Sequence, residues 1–373
     1  VTAADDAVAG TITLHPGRPR PNITSTRAVL ARRVGSGLPA SAWPTRAAAL
    51  YRLCGEAHRI AARAAVAAAT GSAPDAPEPI AQALRFDALR EHLRRIVLDW
   101  PAPLAGESAS AAELRALSDC PLPCHDASAD PDLGALRHWI GEHLLGESPA
   151  SWLAAWDADP AAALARWTER ARTPTARRLR ACRAAAQAIE LPLPPLPTPA
   201  ESALGALLAD CAGELRTNPA FALAPHWRGR VIESGCWARI DEPAPARYHD
   251  TWLRLGARIA ETARLALPAA AAARRLRCGA LAPVPGEGVG WCEMARGLLL
   301  HRVRIGAGSD STTARIAECD VVAPTEWHFH PQGPVATALA RLPARDADDA
   351  VRLLAVAFDP CVAVRVAGGT GNA

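Results

Sequence analysis

The run AVAFDPCVAVRVAG, residues 355–368, places Asp359-Pro360-Cys361 between two apolar stretches. Proline fixes its own φ and has no amide hydrogen to offer a helix or a sheet, so the stretch before it must stop there. Cys361 is thereby held at a rigid corner. Whatever the chain folds into has to bury the apolar stretch on each side of that corner and give the thiol its surroundings.

The rest of the sequence supplies mostly helices to do so. Thr11–His15 alternates polar and apolar residues and predicts a strand ended by Pro16–Pro21, while Asn22–Arg33 suits either a second strand or a short helix. Pro44–Thr70 is built almost entirely of strong helix formers, with Pro44 in the first turn and Gly71 at the stop. It predicts one continuous helix with Cys54 in its middle, one turn from His58. Further helices are predicted over Pro79–Trp100, Ala111–Leu117, Pro131–Leu145, Ala150–Arg172 and Ala176–Ile189. LPLPPLPTP, residues 191–199, lacks most of its amide donors and predicts a stiff connector. It divides a strand-and-helix part, 1–190, from a mixed part, 200–373, within one domain. The mixed part predicts helices Glu201–Arg216 and Arg247–Leu276, then strands in Trp291–Ile305 and Thr313–Val322 around Gly306–Asp310. A loop over Ala323–Pro334 and helices Val335–Leu342 and Ala347–Phe358 lead back to the corner. Gly286–Gly290 reads as a turn and not a nucleotide loop, because no strand-to-helix frame or Lys follows it. The fold class expected is α+β, mainly α.

Composition narrows the function classes. A net charge of +3, from 41 basic and 38 acidic residues, provides no global field for nucleic acid. Every basic residue is Arg, which excludes lysine Schiff-base and general-base chemistry. No leader pattern and no long uncharged apolar run is evident, so a cytoplasmic protein with no membrane contact is expected. Ten cysteines in a chain this long are too sparse for a disulfide scaffold. Cys120, Cys124 and His125 form a tempting cluster, but the Cys spacing is not the usual two-residue one and no second pair lies near to complete a zinc site.

Several ordered segments carry more. Arg52-Leu53-Cys54-Gly55-Glu56-Ala57-His58 sets a thiol near an arginine and an imidazole, and neighbouring positive charge favours the thiolate. Then come Glu233-Ser234-Gly235-Cys236-Trp237-Ala238-Arg239, Cys292-Glu293-Met294-Ala295-Arg296-Gly297, Ala323-Pro324-Thr325-Glu326-Trp327, and finally Asp359-Pro360-Cys361. In this order they resemble the large subunit of nickel–iron hydrogenases. That family reads Arg-x-Cys-Gly-x-Cys near its start, Glu-x-Gly-Pro-x-Ala-Arg in the middle, Glu-Ala-Pro-Arg-Gly and Val-Pro-Thr-x-Trp later, and Asp-Pro-Cys-x-x-Cys-x-x-His at its end. Here the second cysteine positions hold Ala57 and Val364, and the terminal histidine position holds Ala367.

A shortened large-subunit-like chain with half the cysteines is similar to the hydrogenase maturation proteins called HupK or HoxV. The resemblance implies a reduced large-subunit fold and a non-catalytic scaffold that transiently holds an iron fragment with two cyanides and a carbonyl, Fe(CN)2CO, without nickel. It implies Cys54 and Cys361 as the iron ligands and Arg296, Pro324 and Thr325 as the contacts to the cyanides, with Glu233 and Arg239 as supporting charges. The partners it implies are small HypC-like maturation chaperones and the hydrogenase large-subunit precursor. Two other readings stand beside it, a divergent hydrogenase-like redox enzyme and a metal-free decoy for the chaperones. His58 is either packing or a donor behind a ligand, and at most one of His328 and His330 can approach the site.

Overall fold

The computed structural model describes residues 10–73, 76–122, 132–191, 201–240, 242–268, 276–306 and 313–367. The apolar run after the Pro360 corner becomes a strand, β7 (Ala363–Val366), that pairs in parallel with the first strand of the chain, β1 (Thr11–Leu14), with Thr11 opposite Ala363. An antiparallel strand, β2 (Ile23–Ser25), completes this sheet in the order β2-β1-β7. The corner thiol is therefore fixed by a sheet made from both ends of the described chain.

A second sheet is wholly antiparallel, in the order β3 (Cys278–Leu281), β4 (Glu287–Met294), β5 (Gly297–Ile305), β6 (Ile316–Val322). β5 and β6 pair antiparallel across the connection expected at Gly306–Asp310, of which 307–310 fall outside the described residues, while the run Trp291–Ile305 itself holds a further hairpin, β4–β5, that turns at Ala295-Arg296. Only Gly286 of the Gly286–Gly290 segment lies in a turn, at φ 74°. The segment runs into β4, and its other glycines serve a close approach: a Cβ on Gly288 would stand 2.0 Å from the Ala65 carbonyl oxygen, and one on Gly290 2.1 Å from that of Ala61. The helix Gly55–Thr70 lies directly on this backbone.

Helix boundaries depart from the sequence reading where local chemistry outweighs propensity. Pro44–Thr70 is two helices, Trp43–Leu50 and Gly55–Thr70, joined by a 3-10 turn at Arg52–Cys54. Ala150–Arg172 divides at Asp159, whose carboxylate accepts the Ala162 amide at 3.0 Å while Pro160 opens the second helix. The helix expected from Arg247 starts at Thr251, capped by Asp250 through the Leu253 amide at 2.7 Å, and ends at Ala266. The Ala323–Pro334 loop contains a short helix, Pro324–His328. The proline-rich connector lies, after Leu191, outside the described residues, as do Cys124 and His125.

The Thr251–Ala266 helix is the axis of the helical layer. Nearly all of its residues are buried, and it packs on the helices Pro77–Arg94, Pro149–Ala158 and Pro174–Gln187. Since no stripe of it faces water, its Arg254, Arg258 and Glu261 lie in the interior and need partners there. Among the described residues no helix is long and apolar enough to cross a membrane.

The helix–strand approach gives a stability test. Gly290→Ala should cost about 3 kcal/mol or more, because backbone and not a flexible side chain must move. Gly205→Ala, at a helical site with nothing near its Cβ, should be neutral or stabilise by up to ~1 kcal/mol. Urea unfolding of both variants checks the contrast; equal effects would contradict the backbone contact.

Candidate functional site

Cys54 owes its position to the broken helix. Tyr51 leaves the helical region with φ −110° and ψ 55°, and Cys54 follows at φ −135° and ψ 41°, so the thiol sits at the cap of the Gly55–Thr70 helix and not in mid-helix. Gly55 permits the break, since a Cβ there would lie 3.0 Å from the Ala48 carbonyl oxygen. The thiol is buried, and a cleft of about 410 Å³ opens beside Glu56 between this helix and Pro77–Arg94.

Cys361 arrives from the other end. The helix Asp348–Phe358 stops at Asp359, which adopts φ 51° as its C-cap. The corner sets Cys361 against Thr325 in the first turn of the Pro324–His328 helix. Thr325 Oγ1 accepts the Cys361 amide at 3.3 Å and lies 3.3 Å from its sulfur, leaving the hydroxyl proton for the sulfur or for a group beside it. Cys361 is half-buried and so the more accessible of the two thiols.

Arg296, in the β4–β5 turn, ties them together. Its guanidinium reaches Cys54 Sγ at 3.5 Å through Nη1, donates to Glu91 at 2.8 Å through Nη2, and donates to the Asp359 carbonyl at 3.0 Å through Nε. Burial alone would lower its pKa, but Asp359, Cys54, Glu91 and Cys361 outweigh that and hold it charged. Burial raises the Cys54 thiol pKa, with Arg296 opposing and Cys361, Glu91 and Asp87 adding to the rise. The two thiols thus feel each other and share one cation. Burial works against Arg27 as well, yet its pair with Glu326 at 2.6 Å and the nearby Cys361 sulfur raise its pKa.

Of the residues named from the sequence, Cys54, Cys361, Arg296 and Thr325 come together, with Pro324 opening the helix that carries Thr325. Others are engaged elsewhere. His58 stacks on Tyr51 at 4.1 Å and lies 2.9 Å from His301 through Nδ1, and its burial keeps it neutral. His328 donates to the Ser234 carbonyl. Glu233 pairs with Arg254 and accepts from Trp237, and Arg239 pairs with Glu261 at 2.6 and 2.7 Å. His92, Cys236 and Glu261 lie close enough together for a metal ion. Arg239 and Arg258 already bond the carboxylate and the imidazole there, so this is a buried ion-pair network and not an open ligand set.

Sequence reasoning missed Glu91, Asp87, Arg27 and Arg95. Glu91 and Asp87 stand one turn apart on the Pro77–Arg94 helix, and Arg95 holds Asp359 at 2.7 Å. The signal available was their i, i+4 spacing, which looks like a solvated helix face until the partner cation is placed.

No family-wide sequence profile matches the chain. Individual relatives do. The hydrogenase expression/formation protein HoxV of Cupriavidus necator is 40% identical, with 95% of this chain and 94% of that protein covered. HupK of Rhizobium leguminosarum bv. viciae is 32% identical, covering 87% and 85%, and HupK of Azotobacter vinelandii is 30% identical, covering 97% and 95%. Among solved structures, a reduced, active form of the Ni-Fe-Se hydrogenase from Desulfomicrobium baculatum superposes with a TM-score of 0.53 at 14% identity, covering 94% of this chain and 95% of that one. The Ni-Fe-Se hydrogenase of Desulfovibrio vulgaris Hildenborough in its as-isolated oxidized state gives 0.53 at 15% identity, covering 92% and 93%. The fold is that of hydrogenase large subunits, α+β and mainly α, as the sequence motifs implied.

The carboxylates beside Arg296 predict a pH signature. Burial, and then Glu91, push the Asp87 pKa up to about 7. An acid whose pKa is raised on folding is best accommodated while protonated, so the wild-type protein loses this contribution as pH rises from the unfolded value near ~4 to about 7. Asp87→Asn should gain on wild type across that window and level off above it, by on the order of 4 kcal/mol. Chemical denaturation at pH 5 and pH 8 measures it; an equal difference at both would show that Asp87 does not titrate there.

Proposed function

The chain belongs to the HupK/HoxV family of hydrogenase expression/formation proteins, and on that premise we propose that it is a cytoplasmic, non-catalytic scaffold in nickel–iron site assembly. Its cargo is the iron fragment carrying two cyanides and a carbonyl, held transiently by the Cys54 and Cys361 thiolates. The observation that carries this reading is that one buried guanidinium, Arg296, touches the Cys54 thiol and also holds the Asp359 carbonyl at the corner that carries Cys361 from the other end of the described chain.

The donor set suits that cargo. Thiolates are soft ligands for a low-spin iron whose other positions are mostly filled by diatomic groups. Cyanide is an anionic acceptor, and Arg296 presents a charged N–H at Cys54 while Thr325 has a hydroxyl proton to give beside Cys361. Pro324 shapes the turn that presents Thr325. A nickel centre of the enzyme type needs the second cysteine of each motif. Here Ala57 and Val364 are buried apolar residues in a helix and in β7, with no donor to offer, which weighs against the hydrogenase-like enzyme. The proposed partners are a small HypC-like chaperone bringing the fragment and the large-subunit precursor receiving it. The half-buried Cys361 is the thiol such a partner meets first.

Infrared spectroscopy tests the reading on protein purified without oxygen from cells that assemble the hydrogenase. Cyanide and carbonyl stretching bands are expected with wild type and are expected to vanish in Cys54→Ala and Cys361→Ala, each checked for native circular dichroism. Arg296→Gln should shift the cyanide bands. A spectrum without such bands, alone and in complex with the chaperone, would favour the metal-free decoy, and stoichiometric nickel would favour the enzyme.

A further inference from the structure

A second pair of thiols lies behind the first. Cys278 on β3 is the direct cross-strand partner of Cys292 on β4. The Glu293 amide donates to the Arg277 carbonyl at 2.7 Å, which makes Arg277 and Glu293 a hydrogen-bonded pair. Opposed residues in an antiparallel ladder alternate, so Cys278 and Cys292 form a non-hydrogen-bonded pair, the closer kind, with Cα atoms about 4.5 Å apart. That spacing is inside the range a disulfide spans. Both side chains project from the same face of the sheet. Cys278 is half-buried at the edge strand and Cys292 fully buried.

We propose that Cys278 and Cys292 are a modification site, a dithiol that closes reversibly to a cross-strand disulfide in response to peroxides. The steps balance. The Cys278 thiol, whose pKa burial holds up, gives up its proton as its sulfur attacks one peroxide oxygen; the O–O bond breaks, the leaving hydroxide takes that proton, and sulfenic acid and one water result. The Cys292 sulfur then displaces that hydroxyl as the S–S bond forms, and the Cys292 thiol proton leaves with it as a second water. The two thiols lose two electrons and two protons in total, and hydrogen peroxide takes them up. A dithiol reductant reverses the reaction by exchange. A bridge at so short a strand spacing is strained, which makes it easily reduced and suits a switch better than a structural link.

Closure has a local consequence. Cys292 Sγ donates to the Ala57 carbonyl at 3.5 Å, in the first turn of the helix that Cys54 caps. Joining Cys278 withdraws that donor and loosens the turn behind Cys54. The dithiol itself does not depend on what Cys54 and Cys361 hold.

The test is peptide mapping of the purified full chain after hydrogen peroxide, with remaining thiols alkylated before digestion. A peptide pair joined through Cys278 and Cys292, and released by dithiothreitol, is expected in wild type and equally in Cys54→Ala, so failure of the scaffold reading leaves this result untouched. Cys278→Ser should abolish the link and leave Cys292 open to alkylation in the unfolded digest. Titration in dithiothreitol redox buffers should give a single two-electron transition for the pair. Full alkylation of both thiols after peroxide, a Cys278 link to another cysteine, or conversion of Cys278 to sulfinic acid with Cys292 unlinked would overturn the proposal.

Discussion

The guanidinium of Arg296 is the contact on which the interior is assembled. A cation out of water costs several kcal/mol unless its donors are met. Here each arm goes to a different element: Nη2 to Glu91 on the Pro77–Arg94 helix, Nε to the chain reversal at Asp359, Nη1 to the thiol of Cys54, the residue before Gly55–Thr70. Remove the guanidinium and two carboxylates and a thiol lose what allows their burial. An ammonium could not replace it, because the three partners lie at different angles about one plane and only a planar fork meets them together. The absence of lysine from the sequence thus has a structural counterpart in the core.

The same logic propagates outward from Asp359. Its left-handed backbone is unusual for a residue with a Cβ and costs on the order of 1 kcal/mol. Arg95, Arg258 and Arg296 all approach its carboxylate, and together they hold its pKa down against the effect of burial. Arg258 also donates to His92 Nδ1, which fixes that nitrogen as the acceptor. His92 must then carry its proton on Nε2, where it donates to Glu261 at 2.8 Å, and Glu261 is closed by the fork of Arg239. A continuous line of charged groups, joined through the neutral His92, therefore runs from the core of the helical layer to the edge of the thiol pair. It makes the position of Cys361 depend on how the Thr251–Ala266 helix is seated.

What could be read from the sequence was whatever lies within a short motif. The Pro360 corner and the Pro324 loop announce a fixed backbone through their own residues, and the motif around Arg296 marks the third segment that meets them, although its turn lies inside a run that reads as strand. The breaks and close approaches could not be read that way. Tyr51–Cys54 is surrounded by helix formers, and its departure from helix goes with the close approach of Gly55 to the Ala48 carbonyl, a contact that propensity does not carry. Gly288 and Gly290 look like a turn because glycine usually signals one, whereas here they let a strand touch a helix. Glu91 and Asp87 look like a solvated face because the cation that buries them comes from two hundred residues away in sequence. Cys278 and Cys292 are distant in any motif, and only strand register pairs them.

The replacements at positions 57 and 364 bear on why such a fold would hold a metal fragment without keeping it. Ala57 has no room to spare, since its side chain is fully buried and its carbonyl accepts from Cys292. Val364 faces the core from β7, opposite Ile12, and contributes to the pairing that fixes Cys361. Both positions have thus been given to packing. On the proposed reading, the same exchange that removes two thiolates also stiffens the supports of the two that remain. Fewer protein ligands lower the barrier to handing the iron on, while rigid supports keep the remaining pair preorganised so that little ordering cost is incurred on capture. Affinity sufficient for capture and weak enough for release then comes from the number of ligands, and specificity for a cyanide-bearing fragment comes from the guanidinium and hydroxyl donors set around them.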